Sequence, residues 1–331
     1  MEKRPEHIIL SRPDSIGDVM LTLPIAGLLK EHFPGVRITF LGRTYTRPVL
    51  ERCAHVDHVI TLEELAAGDG AAMLRALDAD VLIHVFPSKV VARWAKEAGV
   101  PKRIGTTNRW WHWFTCSDRV AFSRKNSDLH EAQLNVKLLT PLGISRTHSL
   151  VELAALSGFS PPPIDPKFKN WFRPGHRTVI LHPGSKGSAV EWGLPNFAAL
   201  MELLKAGPFV TVVTGTQGEA EHFRTVLSFE HPDTIDAGGE LQLNELVAVI
   251  GASHGLVAAS TGPLHIAAAC GIRAVGLYSS RRPIHPGRWA PIGTDVHALV
   301  FDADCADCKA LKPCNCIQRI SPQRVFDLLA G

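Results

Sequence analysis

No run in this 331-residue chain approaches the roughly 18 apolar residues needed to cross a bilayer as a helix. A membrane-spanning helix is therefore not expected. Nor is a secretory leader: residues 1–6 are polar, and the apolar stretch behind them is only four residues long. The cytosol is the expected location, and there the seven cysteines are more readily thiols or ligands than disulfides. Gly-x-Gly-x-x-Gly follows none of the strand-like segments, which argues against a dinucleotide fingerprint. Charge of one sign is scarce. The 35 basic residues nearly balance 32 acidic ones, and a net charge of +3 is too small to suggest a nucleic-acid partner. Internal repeats and low-complexity tracts are missing as well. With 45% hydrophobic and 20% charged residues, the chain reads as soluble and globular. Its length suits two domains of roughly 150 residues each.

What is present is alternation. Residues 7–10 read as a short buried strand, with further strands at 36–41, 58–60 and 81–85. Residues 19–33 read as one helix with Leu21, Ile25, Leu28 and Leu29 on its apolar face, and residues 88–98 as another, stopped by Gly99 and Pro101. An irregular segment begins at Arg103, and a helix returns over 129–142. Four prolines within residues 160–166 mark a linker. The pattern then restarts, with strands at 178–181, 209–214, 255–259 and 274–278 and helices between them. This predicts two doubly wound α/β domains, 1–160 and 161–331, facing a central cleft. The last helix, 322–329, is left free to pack back on the first domain.

Ser15-Ile16-Gly17-Asp18 is the most informative segment, because it sets a carboxylate where the first strand passes into a helix. Open α/β sheets bind ligands at that edge. A carboxylate there is placed to take a proton from a substrate hydroxyl. Gly17 leaves room beside it for a ligand. The same spacing also fits a capping box, with Ser15 and Asp18 satisfying amides at the helix start. The two roles are compatible.

The second half carries the features expected to hold phosphate. In His182-Pro183-Gly184-Ser185-Lys186-Gly187-Ser188, small residues expose amides, Ser185 and Ser188 offer hydroxyls and Lys186 offers charge. The spacing is not that of a P-loop, and an ordinary glycine-rich turn is the plainer alternative. In Ser260-Thr261-Gly262-Pro263-Leu264-His265, Pro263 falls near a helix start, whose free amides and positive dipole suit a diphosphate. Thr261 and Gly262 are expected near the phosphate oxygens, and His265 in the first turn is placed to donate to them. Thr214-Gly215 ends another strand in the same manner and is assigned to the nucleoside side of the donor.

With these segments in place, the chain resembles glycosyltransferase family 9, the lipopolysaccharide heptosyltransferases, over nearly its whole length. The matching segments are Asp14-Ser15-Ile16-Gly17-Asp18 with Leu23-Pro24, His182-Pro183-Gly184-Ser185, Thr214-Gly215, and Ser260 to His265 followed by Ala267-Ala268-Ala269. Lesser matches are Arg103-Ile104-Gly105 and His130-Glu131. The resemblance implies a GT-B fold, with the acceptor bound mainly by the first domain and the nucleotide sugar by the second. It implies inverting transfer from an ADP-heptose-like donor to a lipid-linked core sugar, with no cofactor and no required metal. Carried over, Asp18 is the general base and Ser15, Gly17, Arg109 and Trp111 lie on the acceptor side. Contact with the cytoplasmic face of the inner membrane follows from a lipid-linked acceptor. Two departures stand out. Ser260 replaces the acid often found there, which contacts the donor sugar. Ala189-Val190-Glu191 stands before Trp192 where a lysine is often placed; Lys186 lies at the other end of that loop.

Three further features are not absorbed by this reading. Cys305-x-x-Cys308 and Cys314-x-Cys316 put four thiols in twelve residues. They read either as a reduced loop, similar to cysteines near this position in some family members, or as a zinc site whose second pair is closely spaced. Arg109-Trp110-Trp111-His112-Trp113-Phe114 reads either as a cover for the first domain's core or as a surface for sugar rings or a bilayer interface. Lys89, Arg93, Lys96, Lys102, Arg103, Arg109, Arg119, Arg124 and Lys125 crowd one quarter of the chain, as a solvated face or as a surface for anions. Cys53, Cys116 and Cys270 read as small core residues. Two rival functions remain beside the transferase. One is a nucleotide-sugar-binding paralogue without transfer activity, which Ser260 and the missing lysine favour. The other is a metal- or redox-responsive protein acting through the cysteine tail.

Overall fold

The structure, a computed structural model, describes residues 4–124 and 127–331. Lys125 therefore lies outside the described residues. The chain divides into two compact units between Ser160 and Pro161.

The first unit holds six parallel strands: β1 (His7–Ser11), β2 (Arg37–Gly42), β3 (His58–Thr61), β4 (Val81–His84), β5 (Lys102–Thr106) and β6 (Asp118–Val120). Their order across the sheet is β3-β2-β1-β4-β5-β6. The second unit repeats the plan with β7 (Arg177–His182), β8 (Phe209–Gly215), β9 (Thr234–Gly238), β10 (Gly255–Ala259), β11 (Arg273–Tyr278) and β12 (Val296–Val300), in the order β12-β11-β10-β7-β8-β9. Both are doubly wound Rossmann-type sheets. The chain runs outward on one side of its first strand, then returns to build on the other. The central strands are buried on both faces, which is why β1 and β10 read as unbroken apolar runs. Register is direct: Ile9 pairs with Thr39 on one side and Leu82 on the other, and Val257 pairs with Leu181 and Val275.

The helix expected over 19–33 is two helices, Ile16–Met20 and Leu23–His32. Pro24 lies in the first turn of the second and has no amide to continue the first helix's ladder. The Thr22 hydroxyl donates to Asp18 O at 2.7 Å, tying the break to the loop before it. The segment after Arg103 is more regular than expected: it forms β5 and β6, which are short and carry one apolar residue each, Ile104 and Val120. Strands β9 and β12 also escape the reading; they are the two edge strands of the second sheet and only partly buried. Behind the sheets, Ile9, Leu41, Leu82, Val91 and Ala95 belong to one core cluster in the first unit, and Val179, Leu181, Trp192, Phe197 and Val213 to one in the second. The last helix, Pro322–Ala330, buries Val325 and Leu329 in that second cluster. It is thus placed with the second unit, because its apolar stripe meets helix Leu194–Lys205. Cys53 and Cys116 are buried and Cys270 half-buried; burial lifts Cys53 and Cys116 to about 11 and Cys270 to about 12. Among the described residues, no helix is long and apolar enough to cross a membrane.

Candidate active site

In the first sheet the winding direction reverses between β1 and β4, and a crevice opens at the carboxyl ends of two such strands. Residues 12–18 follow β1 at that point. The loop is organised by a residue the motif reading missed, Arg12, which is only 4% exposed. Its Nε donates to Asp14 Oδ1 at 2.9 Å, Nη1 to Glu131 Oε1 at 3.3 Å, and Nη2 to Asp18 Oδ1. The Ser15 hydroxyl donates to the other oxygen of Asp18. The capping box is not what forms: Ser15 makes no side-chain cap, and Asp18 turns to Arg12 instead. Compare Thr61 and Glu64, which do complete such a box around helix Leu62–Ala67. A buried guanidinium needs counter-charge, and this one draws three carboxylates to itself.

Around Arg12 the network closes on helix Glu131–Lys137. Glu131, 1% exposed, also accepts from Arg124 Nε at 2.9 Å. Arg124 Nη2 donates to Asn135 Oδ1 at 3.0 Å, and Asn135 Nδ2 to Leu21 O at 3.1 Å. Asn135 thereby ties the end of the helix that carries Asp18 to the same network. Burial pushes Asp14 up against the pull of Arg12. Beyond the Asp14–Asp18 loop itself, the sequence pointed to this network through His130-Glu131, a lesser family match, and through Arg124 as one of the crowded basic residues; nothing marked Arg12. Ser15 is exposed and Gly17 half-buried beside Asp18.

Arg109 and Trp111 follow β5, which lies beyond β4 from β1. Two strand spacings make that about 10 Å along the sheet edge. The core-cover reading of this aromatic segment does not hold for three rings: Trp110 is 63%, Trp113 56% and Phe114 70% exposed. Each tryptophan instead pairs with a cation. Lys89 lies 4.9 Å from the Trp110 ring, Arg109 5.7 Å from Trp111 and Arg119 4.8 Å from Trp113. Trp110, Trp111 and Phe114 line a recess of about 500 Å³ with Lys89 and Arg93. His112, by contrast, is buried and stacks on His84. The basic cluster thus separates into roles. Arg124 serves the Asp18 network, Lys102 and Arg103 tie down backbone carbonyls, and Lys89, Arg93, Arg109 and Arg119 attend the aromatic surface.

In the second sheet the reversal falls between β7 and β10, and β8 flanks β7 on the other side. The carboxyl ends of these three neighbours gather Thr214-Gly215, the 182–188 loop and Ser260 to Gly262. Several of the expected phosphate hydroxyls are already engaged. Ser185 is turned inward, its amide and hydroxyl donating to Glu191 Oε1 at 2.9 and 2.8 Å. Ser188 donates to Ser185 O at 2.7 Å. Thr214 shares a 2.9 Å hydrogen bond with His182 Nδ1. Glu191 therefore closes the loop at the place where the resemblance looks for a lysine. Lys186 is exposed at the turn, in left-handed backbone at φ +49, with Gly187 at φ +76. A lysine seldom adopts that conformation. Burial pushes His182 down to about 4, with Glu219 opposing, so its ring is neutral at pH 7. Burial alone would raise Glu219; the Thr216 amide and hydroxyl outweigh it and hold the carboxylate low. A Cβ at Gly184 would collide with the Glu219 carboxylate, so this glycine is needed for close packing.

Helix Gly262–Ala269 begins at the end of β10, with Thr261 as its N-cap. The Thr261 hydroxyl makes no cap and, though buried, has no partner among the described residues. An orphaned buried hydroxyl beside a helix start, where Pro263 has no amide and at most those of Thr261, Gly262 and Leu264 are left for a ligand, is what an anion site needs before its ligand arrives. His265 is buried one turn on, and Ser260 is half-buried before it.

The comparisons with known proteins agree. The family model described as Glycosyltransferase family 9 (heptosyltransferase) matches residues 74–316. Lipopolysaccharide heptosyltransferase 3 of Escherichia coli is 22% identical over 299 residues, covering 83% of this chain and 84% of that protein. The solved glycosyltransferase family 9 protein of Veillonella parvula superposes with a TM-score of 0.80 at 20% identity, covering 100% of this chain and 99% of the other. The Escherichia coli ADP-heptose lipopolysaccharide heptosyltransferase II gives 0.75 at 19% identity, covering 98% and 97%. At these identities the solved structures speak for the fold, two Rossmann-like lobes of the GT-B class. On the family match, which takes in well over half of its length, this chain belongs to glycosyltransferase family 9, the heptosyltransferases.

Proposed function

We propose that the chain transfers a heptose-like sugar, with inversion, from ADP-heptose to a lipopolysaccharide core-type acceptor. Asp18 serves as the general base. An ordinary aspartate is ionised at neutral pH and ready to accept a proton. As it takes the proton of the acceptor hydroxyl, that oxygen attacks the anomeric carbon from the face opposite the diphosphate. The bond to the diphosphate breaks and its electron pair stays on the phosphate oxygen. The amides at Thr261 and Gly262, the Thr261 hydroxyl and Lys186 take up that charge, so the reaction requires no metal and no cofactor. The single observation that carries the reading is the Arg12–Asp18–Ser15 constellation at the first sheet's reversal point. It holds a half-buried carboxylate in one orientation, more than a helix cap requires.

On the donor side, Ser185, Ser188 and Thr214 shape the pocket through internal hydrogen bonds, while Gly215, Ser260 and His265 line it. On the acceptor side, Ser15, Gly17, Arg109 and Trp111 meet the sugar. The exposed rings of Trp110, Trp113 and Phe114, ringed by cations, suit the cytoplasmic face of an anionic membrane that carries a lipid-linked acceptor. A nucleotide-sugar binder without transfer activity is the second reading, and Glu191 in place of a cation favours it.

Asp18→Asn separates the two. With ADP-heptose and a deacylated core acceptor, ADP release should fall about 10²- to 10⁴-fold while ADP binding persists. Turnover equal to the wild type would remove Asp18 from the mechanism. Binding without turnover in the wild type would leave the second reading. Proton NMR of the new glycosidic linkage decides inversion.

A further inference from the structure

Between β12 and the last helix the chain crosses a stretch with almost no core of its own. Of residues 301–315 only Cys308 is buried; Phe301 is 42% and Leu311 56% exposed. Something other than apolar packing must hold such a segment. Four side chains converge there. The sulfurs of Cys305, Cys308, Cys314 and Cys316 all lie within 4.8 Å of one another. Cys305 Sγ is 3.4 Å from Cys314 Sγ, and Cys308 Sγ is 3.3 Å from Cys316 Sγ. Four sulfurs at 2.3 Å from one tetrahedral ion would be about 3.8 Å apart, a spacing that these distances bracket. None of the four is in a disulfide. The chain also turns around the sulfurs: the Cys316 amide donates to Cys314 Sγ at 3.3 Å, and the short helix Ala306–Lys309 starts after Cys305 and carries Cys308.

We propose that these four cysteines form a structural tetrathiolate site for a divalent transition metal, zinc or iron. Four protein sulfurs fill a tetrahedral shell and leave no open position, so the ion takes no part in sugar transfer. Its role is to brace the segment that follows. Cys316 opens the turn Cys316–Arg319, and Ile317 and Ile320 enter the second unit's core. The Ile320 carbonyl receives Trp192 Nε1 at 2.9 Å, and the Gln318 carbonyl receives Asn196 Nδ2 at 2.8 Å. Trp192 directly follows Glu191, which closes the 182–191 loop. The metal thus anchors the far wall of the loop assigned above to the donor, and this last link alone rests on that assignment.

The full-length protein, purified anaerobically with reductant, is analysed for bound metals by mass spectrometry. About one equivalent of zinc or iron is expected, and the identity of the ion decides between them. Cys308→Ser and Cys314→Ser should each lower retained metal at least about tenfold, whereas Cys270→Ser should not. Cys314 is half-buried, so its variant remains informative if Cys308→Ser fails to fold. Cobalt reconstitution should give the intense absorption of a tetrahedral thiolate complex, and a mercurial reagent should release the metal as the thiols react. Metal-free protein after zinc, iron and cobalt reconstitution, with four thiols freely reactive in the native state, would overturn the site. So would two disulfides as the resting form. These readouts do not depend on transferase activity, so failure of the proposed donor or acceptor leaves the result standing.

Discussion

Glu131→Gln tests the Arg12 network directly. The wild-type carboxylate is 1% exposed and accepts from two guanidinium groups, Arg12 at 3.3 Å and Arg124 at 2.9 Å. Glutamine keeps the shape and one acceptor oxygen but removes the charge. Breaking a buried ion pair costs about 3–5 kcal/mol, because the partner is left uncompensated. Here Arg12 retains Asp14 and Asp18, and the Arg124 side chain is 23% exposed to water. The lower end, about 3 kcal/mol, is therefore expected. For a unit of this size each kcal/mol moves the melting temperature by about 2–4 °C, so the first unit should melt about 6–12 °C lower. Scanning calorimetry resolves that transition. Glu97→Gln supplies the control, since its pair with Arg93 is at the surface and its loss should not shift the transition. Turnover should fall about ten- to a hundredfold as well, because Arg12 keeps Asp18 but is itself less firmly held once the Glu131 charge is gone. A Glu131→Gln transition within about 2 °C of the wild type would refute the idea that this carboxylate balances a buried charge.

Three further outcomes are expected. His84 is fully buried, has no partner for either ring nitrogen among the described residues, and is shifted down to about 3 by burial with help from His112 and Arg103. The unfolded chain binds that proton near pH 6.5 and the folded chain only near 3, so stability is present above 6.5 and is lost as pH falls between the two; at pH 5 the loss from this group is about 2 kcal/mol, and His84→Leu should cut the acid loss seen in urea titrations at about pH 7 and pH 5 by that amount, the share of His182 remaining. Thr261→Val should leave the melting temperature of the ligand-free protein unchanged or raised, yet weaken ADP binding about tenfold or more by calorimetry, since a hydrogen bond to a charged group is worth about 1.5–3 kcal/mol. Paired Trp110→Ala and Phe114→Ala substitutions should lower sedimentation with phosphatidylglycerol vesicles about tenfold without changing ADP affinity.

Much of the fold was legible because parallel strands buried on both faces leave unbroken apolar runs, as in β1, β7, β8, β10 and β11. Strands β5, β6, β9 and β12 were not, since they are short or lie toward the sheet edges, where packing no longer demands apolar residues. The helix break at Thr22 was hidden because Leu21, Ile25, Leu28 and Leu29 stay buried on either side of it. In the candidate site, the Asp18 loop and the Thr261 helix start could be located from local signals: a glycine, a proline, and a carboxylate after a strand. The partners of Asp18 could not, because Glu131 lies 119 residues from Arg12 and only the sheet brings them together.

The sequence by itself determined two doubly wound units, the family, and the two strand-to-helix turns at their reversal points. Periodicity and turn chemistry are local properties, carried by neighbouring residues. Tertiary structure alone decided which polar groups are engaged. It turned Ser185 to Glu191 and Thr214 to His182, left the Thr261 hydroxyl without a partner among the described residues, drew three carboxylates to Arg12, and gathered four sulfurs into one cluster. Whether a polar atom is satisfied depends on what the fold packs against it, and those neighbours are distant in the chain.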